Sequence, residues 1–431
     1  MKKIIALLLA CMMVVGLFAA CGEGKTTPTN APAQNNDATK PAATEAQAEA
    51  EPEEITLTVW GPQEDQVDEN SFLQVACAKF AEQHPEWKIT WSFGVSSEGD
   101  AGKNVSQDPS AAADVYMFAN DQLGTLIQAN AIAKLGGSYL EQVTSDNPDT
   151  MIASVTGTDG GVYGVPFTGN TWFMYYDTSV FSEEDIKSMD TMLEKGKVSF
   201  PLTNSWYIAS FFFANGGKIF GDAGVDAAAG VEFGGDKGTA VTEYLVNMHA
   251  NPNFVVDADG SGLAGLRDGS VNAIFSGTWD AAAVQEALGD NFGAAQLPTV
   301  NIGGEAKQLK SFAGSKAIGV NPNCQNMQAA VALAVYLGSA EAQLAHYEMR
   351  GIIPTSLALT ADPAIQADAV ALAQANTIAN TSVVQPSIPE MNNYWVPAEN
   401  FGKAIVSGEV TLDNAAEKVD ALNSALNNSG L

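Results

Sequence analysis

From Gly22 to Glu54 the chain holds no Val, Ile, Leu, Met, Phe, Tyr or Trp, and it closes this stretch with an acidic cluster from Glu45 to Glu54. Such a segment cannot bury enough surface to offset its conformational entropy, so residues 21–54 read as a flexible tether. Everything able to build a core therefore lies in residues 55–431. There the hydrophobic period alternates. Ile55 to Trp60 reads as a strand, Ser71 to Gln83 as a helix, Trp87 to Phe93 as a strand and Asp114 to Phe118 as a short buried strand. Strands separated by helices predict βαβ units, a mainly parallel sheet and an α/β fold, with a ligand crevice beyond the carboxyl ends of the strands. Further helices are predicted over Met327–Leu337, over Ser339–Arg350 with a stop at Gly351 and Pro354, and from Leu412 onward.

Ahead of the tether, Lys2 and Lys3 precede an uncharged, almost wholly apolar run from Ile4 to Ala20, which ends in Leu17-Phe18-Ala19-Ala20-Cys21. A charged n-region, an h-region and small residues before a cut describe a signal peptide over residues 1–20. Cysteine directly after Ala-Ala resembles a bacterial lipobox, which implies that Cys21 becomes a diacylated N-terminus; Phe18 stands where the family prefers Leu. A plain secretory signal and an uncleaved anchor are the alternatives, the second weakened because the run is slightly short for a span. Beyond Cys21, Cys77 and Cys324 remain. Cys77 sits on an apolar helical pattern with Phe72, Val75, Ala76 and Phe80, which favours a buried thiol over a disulfide.

The net charge of −30 repels phosphate backbones and disfavours nucleic acid as a partner. Three histidines, far apart in sequence, leave no HExxH-type zinc pair, and neither a GxSxG nor a complete phosphate-binding loop is present. Lys195-Gly196-Lys197-Val198 has only the tail of such a loop. Asp257-Ala-Asp259-Gly-Ser261-Gly262 with Asp268 matches much of a calcium-loop spacing, but Asp stands where Glu supplies bidentate ligation. The competing expectation is that Ser261 caps a short helix over Gly262–Arg267 that stops at Gly269. No cofactor or metal is expected.

Trp206, Trp279 and Trp395 each stand among Asn, Ser, Thr and Gly, a context found at loops and helix starts. Sugars suit such residues, because the C–H face of a pyranose packs on an indole while its hydroxyls need nearby amides and carboxylates. Taken singly, each such tryptophan is more often structural than not; the repetition singles them out as a set.

With these residues in view, residues 55–431 resemble the extracellular solute-binding proteins of ABC sugar importers, most closely the maltose and maltodextrin-binding group. The resemblance rests on Phe118-Ala-Asn-Asp121-Gln-Leu-Gly124, Gly164-Val-Pro166 with Tyr175-Tyr176-Asp177, Ala214-Asn-Gly-Gly217, Phe275-Ser-Gly-Thr-Trp279, Pro389-Glu-Met-Asn-Asn-Tyr-Trp395 and Gly408 to Glu417, in that order. It implies a two-lobed periplasmic-binding-protein-like fold with the ligand cleft at a hinge crossed three times, lobe 1 holding 55–168 and 299–355 and lobe 2 holding 169–298 and 356–431. It places stacking aromatics on Phe118, Trp206, Trp279 and Trp395, an aspartate ligand on Asp121 and an early acidic ligand near Glu64 and Asp65. Amides replace charged sugar ligands at Gln122, Asn170 and Asn204, and Glu399 replaces an arginine; amides still bond hydroxyls. The implied protein is a monomeric, non-catalytic, lipid-anchored binder that hands malto-oligosaccharides to an ABC permease outside the cell membrane. Another neutral oligosaccharide, a β-linked glycan or cyclodextrin, is the alternative ligand, and a surface glycoside hydrolase the alternative class.

Overall fold

The computed structural model describes residues 51–258 and 260–428. The expected signal peptide, Cys21 and nearly all of the tether lie outside the described residues, as does Asp259. Among the described residues no helix is long and apolar enough to cross a membrane.

The strands run in chain order β1 (Glu53–Gly61), β2 (Trp87–Val95), β3 (Val115–Ala119), β4 (Gly164–Asn170), β5 (Phe173–Asp177), β6 (Val198–Phe200), β7 (Lys218–Ile219), β8 (Val231–Glu232), β9 (Phe254–Val256), β10 (Ala273–Ser276), β11 (Phe292–Ala295), β12 (Thr299–Ile302), β13 (Glu305–Gln308), β14 (Ser311–Val320) and β15 (Ser382–Val384). The first sheet has the order β15-β14-β3-β1-β2, with β4 also on β14; the second has the order β11-β5-β10-β6-β9. All five residues of β3 are buried, as a central strand covered on both faces requires, whereas β1 alternates, with Ile55, Leu57 and Val59 inward.

Both sheets are mixed rather than mainly parallel. β1 runs parallel to β2 and β3, but β14 is antiparallel to β3 and β4, and β5 is antiparallel to β10 and β11. The departure has a local cause: β5 is entered from β4 of the first sheet and β14 from the separate hairpin β12–β13, each through a short connection and not through a helical crossover. Asn170 ends β4 in the first sheet and Phe173 begins β5 in the second.

The chain passages between the sheets are tied at one place. Thr171 Oγ1 donates to Phe312 O and lies 2.8 Å from Ser311 Oγ, and Ser311 N donates to Thr381 O. The division of the chain differs from expectation on either side of it. Hairpin β12–β13, assigned to lobe 1 by resemblance, buries Val300, Ile302 and Leu309 in the second lobe's core and bonds Thr299 Oγ1 to Lys187 O. Apolar burial, not sequence position, decides its lobe. Conversely β15, assigned to lobe 2, pairs in parallel with Ser311–Ala313 at the edge of the first sheet.

The helices follow their sequence signals closely. Met327–Leu337 and Ala340–Arg350 form as read; Ser339 caps the latter by accepting from Ala342 N, and Gly351 ends it at φ 68°. At the would-be calcium loop, Asp257 Oδ1 accepts from Gly262 N at 2.9 Å and the helix Ser261–Asp268 stops at Gly269. The helix reading holds with one change, since Gly260 rather than Ser261 is the N-cap. Lys195, in the loop-like tail, pairs instead with Asp185. Cys77 is buried and unbonded, and burial pushes its thiol upward; Cys324 is also unbonded, its thiol raised to about 11 by burial and by Asp114.

Candidate functional site

On the second lobe, an aromatic face is built from two chain segments. Asn204 caps the helix Ser205–Ala214, its Oδ1 accepting from Trp206 N at 2.9 Å, so that Trp206 leaves the first turn half-buried. Its indole lies 5.9 Å from that of Trp279 at an interplanar angle of 35°. Trp279 follows β10 in the turn Thr278–Asp280 and is 53% exposed, the one tryptophan among the large exposed apolar residues. Its ring folds back over Gly277, where an added Cβ would come within 2.1 Å of it. Beneath Trp206 lies Tyr207, itself stacked on the fully buried Trp172 at 4.7 Å. An exposed indole resting on a rigid aromatic base can offer a flat apolar face to a ligand. Trp395 stands apart from this pair: it is half-buried on the helix Asn392–Val406, edge-on to Phe312 and Tyr394.

The first lobe contributes a polar turn, Asn120–Gln122, directly after β3. Asp121 Oδ2 accepts from Gln122 Nε2 at 3.0 Å, while Asp121 Oδ1 and the Asn120 Oδ1 beside it are buried with no hydrogen-bond partner among the described residues. Burial pushes the Asp121 carboxyl above its ordinary value, against the opposing pull of the Gln122 amide. Buried acceptors without donors are costly; Asn120 is wholly buried against Gly314, so of the two side chains only the half-buried Asp121 lies partly open to a ligand.

Two residues expected at the site are not available to a ligand. Phe118 is 0% exposed in the first lobe's core, its ring packed over Gly164, so it presents no stacking face. Its place in a strand buried on both sides explains why. Asp65 is 1% exposed and its carboxylate is held by His346 Nε2 at 3.1 Å and Arg350 Nε at 3.2 Å, which ties the turn Gln63–Asp65 to the helix Ala340–Arg350. Glu64 is on the exposed side of that turn. Asn170 is half-buried at the end of β4, opposite Gly314, and Asn204 is exposed with its oxygen engaged as a cap.

Gln385, just past β15, joins the two halves. Its Oε1 accepts from Trp206 Nε1 at 2.7 Å, and its backbone carbonyl accepts from Asn120 Nδ2 at 3.5 Å. Asp280, adjacent to Trp279, takes a hydrogen bond from Ser276 Oγ; burial and then its charge raise the phenols of Tyr175 and Tyr207. Neither residue stood out in the sequence, although Asp280 directly follows a motif that did. A cavity of about 970 Å³ lies beside the crossing strands, between the segment 149–160 and the segment 213–225, and reaches this group only at Phe312 and Gln385. Side-chain chemistry, not volume, therefore marks the site: an aromatic face on one lobe, unpartnered acceptors on the other.

The chain has relatives among known proteins. A family described as bacterial extracellular solute-binding protein matches residues 75–373. The chain is 27% identical over 330 residues to a galactooligosaccharide-binding protein of Bacillus subtilis (strain 168), covering 70% of this chain and 75% of that one. It is 25% identical over 357 residues to a maltooligosaccharide ABC transporter solute-binding lipoprotein of Streptococcus pneumoniae (strain R6), covering 79% and 82%. A solved structure described as "with acarbose" shares 55% identity, with a TM-score of 0.81 over 87% of this chain and 99% of that one. By the match over residues 75–373, and with two mixed sheets joined by crossing strands, the chain belongs to the bacterial extracellular solute-binding protein family.

Proposed function

We propose that the protein captures malto-oligosaccharides outside the cell and delivers them, without chemical change, to an ABC permease. The observation that carries this reading is the Trp206–Trp279 face joined through Gln385 to the turn that carries the half-buried Asp121. A pyranose offers both partners such a site needs, a C–H face for the indoles and hydroxyls for the acceptors. The relative named for maltooligosaccharides and the similar structure with acarbose favour α-linked glucans. The galactooligosaccharide-binding relative supports a second reading of the same site, a galacto-oligosaccharide.

Calorimetry with maltotriose to maltopentaose and with galacto-oligosaccharides decides between them. Micromolar or tighter binding of the glucans, about −8 kcal/mol, is expected. A glucan series without heat, beside a clear galacto-oligosaccharide isotherm, overturns the ligand; shortened products after incubation overturn the non-catalytic class. Attachment to the membrane through lipid on Cys21 completes the reading. Cys21→Ser is expected to release the protein or leave its leader uncut, and a cleaved variant that stays membrane-bound argues against the anchor.

A further inference from the structure

We propose that Gln385 is a positioning residue of the binding site, fixing the pitch of the Trp206 face and registering it to the acidic turn at Asp121. The inference rests on the oligosaccharide-binding reading, and no motif recognised in the sequence contains this residue. An indole N–H can only donate, so the amide atom facing Trp206 Nε1 at 2.7 Å is Gln385 Oε1, and the amide has one orientation. The side chain is 4% exposed. Its backbone is held from both sides. Gln385 N donates to Ala313 O at 2.8 Å, extending the pairing of β15 on β14, and Gln385 O receives Asn120 Nδ2. The residue thus belongs to the first sheet while its side chain grips an indole of the second lobe.

Trp206 needs such a grip. It sits in the first turn of its helix, only half-buried, and its aromatic neighbours Tyr207 and Trp279 meet it edge-on and at a tilt. Neither contact fixes rotation of the ring about its own side chain as a short hydrogen bond does. Without an acceptor, the indole N–H has reason to turn toward water, and the ring then leaves its present orientation against Trp279. Asn120, bonded to the same glutamine, immediately precedes Asp121. Gln385 accordingly sets the spacing between the apolar and polar halves of the site.

The test is a double-mutant cycle in the full chain with Gln385→Leu and Trp206→Phe, read as Kd for maltotetraose and, in parallel, galactotriose. Gln385→Leu is expected to weaken binding about tenfold, Trp206→Phe to weaken it comparably, and the double variant to be no weaker than Trp206→Phe alone. Gln385→Glu, which keeps the acceptor, is expected to remain within about threefold of wild type. Additive losses, or a Gln385→Leu variant that binds as wild type does, overturn the positioning role while leaving the function intact. Should Gln385→Leu not fold, the cycle runs with Gln385→Met, and the same additivity decides. A wild-type protein that binds neither sugar overturns both the function and this inference.

Discussion

Phe118 and Trp279 carry the same expectation, a stacking face for a sugar, and the structure treats them oppositely. Phe118 lies at the end of a strand whose five residues are all buried, and its ring fills the space over Gly164. Trp279 lies one residue beyond a glycine and a threonine, in a turn past the end of β10, and more than half of it faces solvent. Both strands run directly into a short turn, Asn120–Gln122 after β3 and Thr278–Asp280 after β10, so local topology alone does not separate them. What separates them is the next residue able to turn the chain: Phe118 is still inside the ladder opposite Ala317, whereas Gly277 has already released Trp279 from it. The second lobe consequently exposes aromatic area past the end of β10, while the first keeps its ring inside the core.

The largest expected effect breaks this comparison on the stability side. Phe118→Ala removes a wholly buried ring and is expected to cost about 3–5 kcal/mol of folding stability, measured by denaturant unfolding, while folded molecules keep their sugar affinity. A variant of near-normal stability that binds no sugar would return Phe118 to the platform. The converse holds for Trp279→Ala. Loss of that exposed face is expected to weaken sugar binding more than tenfold, about 1.4 kcal/mol, and to move the melting temperature little. A melting temperature that falls while Kd stays constant would make Trp279 a structural residue.

The acidic half is sharpened by pH. Because burial raises the Asp121 carboxyl, the folded protein holds that proton more tightly than the unfolded chain does. Its contribution to stability is present in acid and is lost as pH rises through the folded value, so the ionised group works against folding at neutral pH. Asp121→Asn is therefore expected to raise the melting temperature at neutral pH, with the gain vanishing once pH falls below the ordinary carboxylate range. A gain that persists in acid would assign the effect to packing instead. In calorimetry the same variant should bind sugar less well, since one acceptor oxygen becomes a donor.

The sequence was most informative where one local rule acts alone. The helix from Ala340 to Arg350 has its serine cap and its terminal glycine, and β3 is one unbroken apolar run; both are readable without tertiary knowledge. The two antiparallel strands were not readable, because the direction of β5 and β14 depends on which sheet each enters after a short crossing. At the candidate site, the polar neighbours of Trp206 and Trp279 drew attention to two indoles that the fold brings within 5.9 Å of each other, and Asp121 was singled out by the motif around it. Asp65 misled because its partners, His346 and Arg350, lie on a helix far along the chain. Gln385 was invisible for the same reason: a glutamine after a short strand carries no signal until the indole it holds, far earlier in the sequence, is brought beside it.

The smallest expected effect concerns Gly277, where the comparison between the two rings becomes a matter of one methyl group. Its φ of −103° is open to any residue, so glycine is not required there by backbone conformation. It is required by the ring, because an added Cβ would meet the outer atoms of Trp279 at 2.1–2.6 Å. Those atoms belong to an exposed side chain that can swing outward, so Gly277→Ala should change stability by no more than about 0.5 kcal/mol. Swinging outward, however, opens the 5.9 Å approach to Trp206 and splits the shared face. Sugar affinity is then expected to fall several-fold, less than in Trp279→Ala because the indole is displaced and not removed. Calorimetry and a thermal melt on the same preparation check both halves. Unchanged affinity would mean that Trp279 binds sugar, if at all, independently of Trp206, and a large loss of stability would mean that its ring is less free to move than its exposure implies.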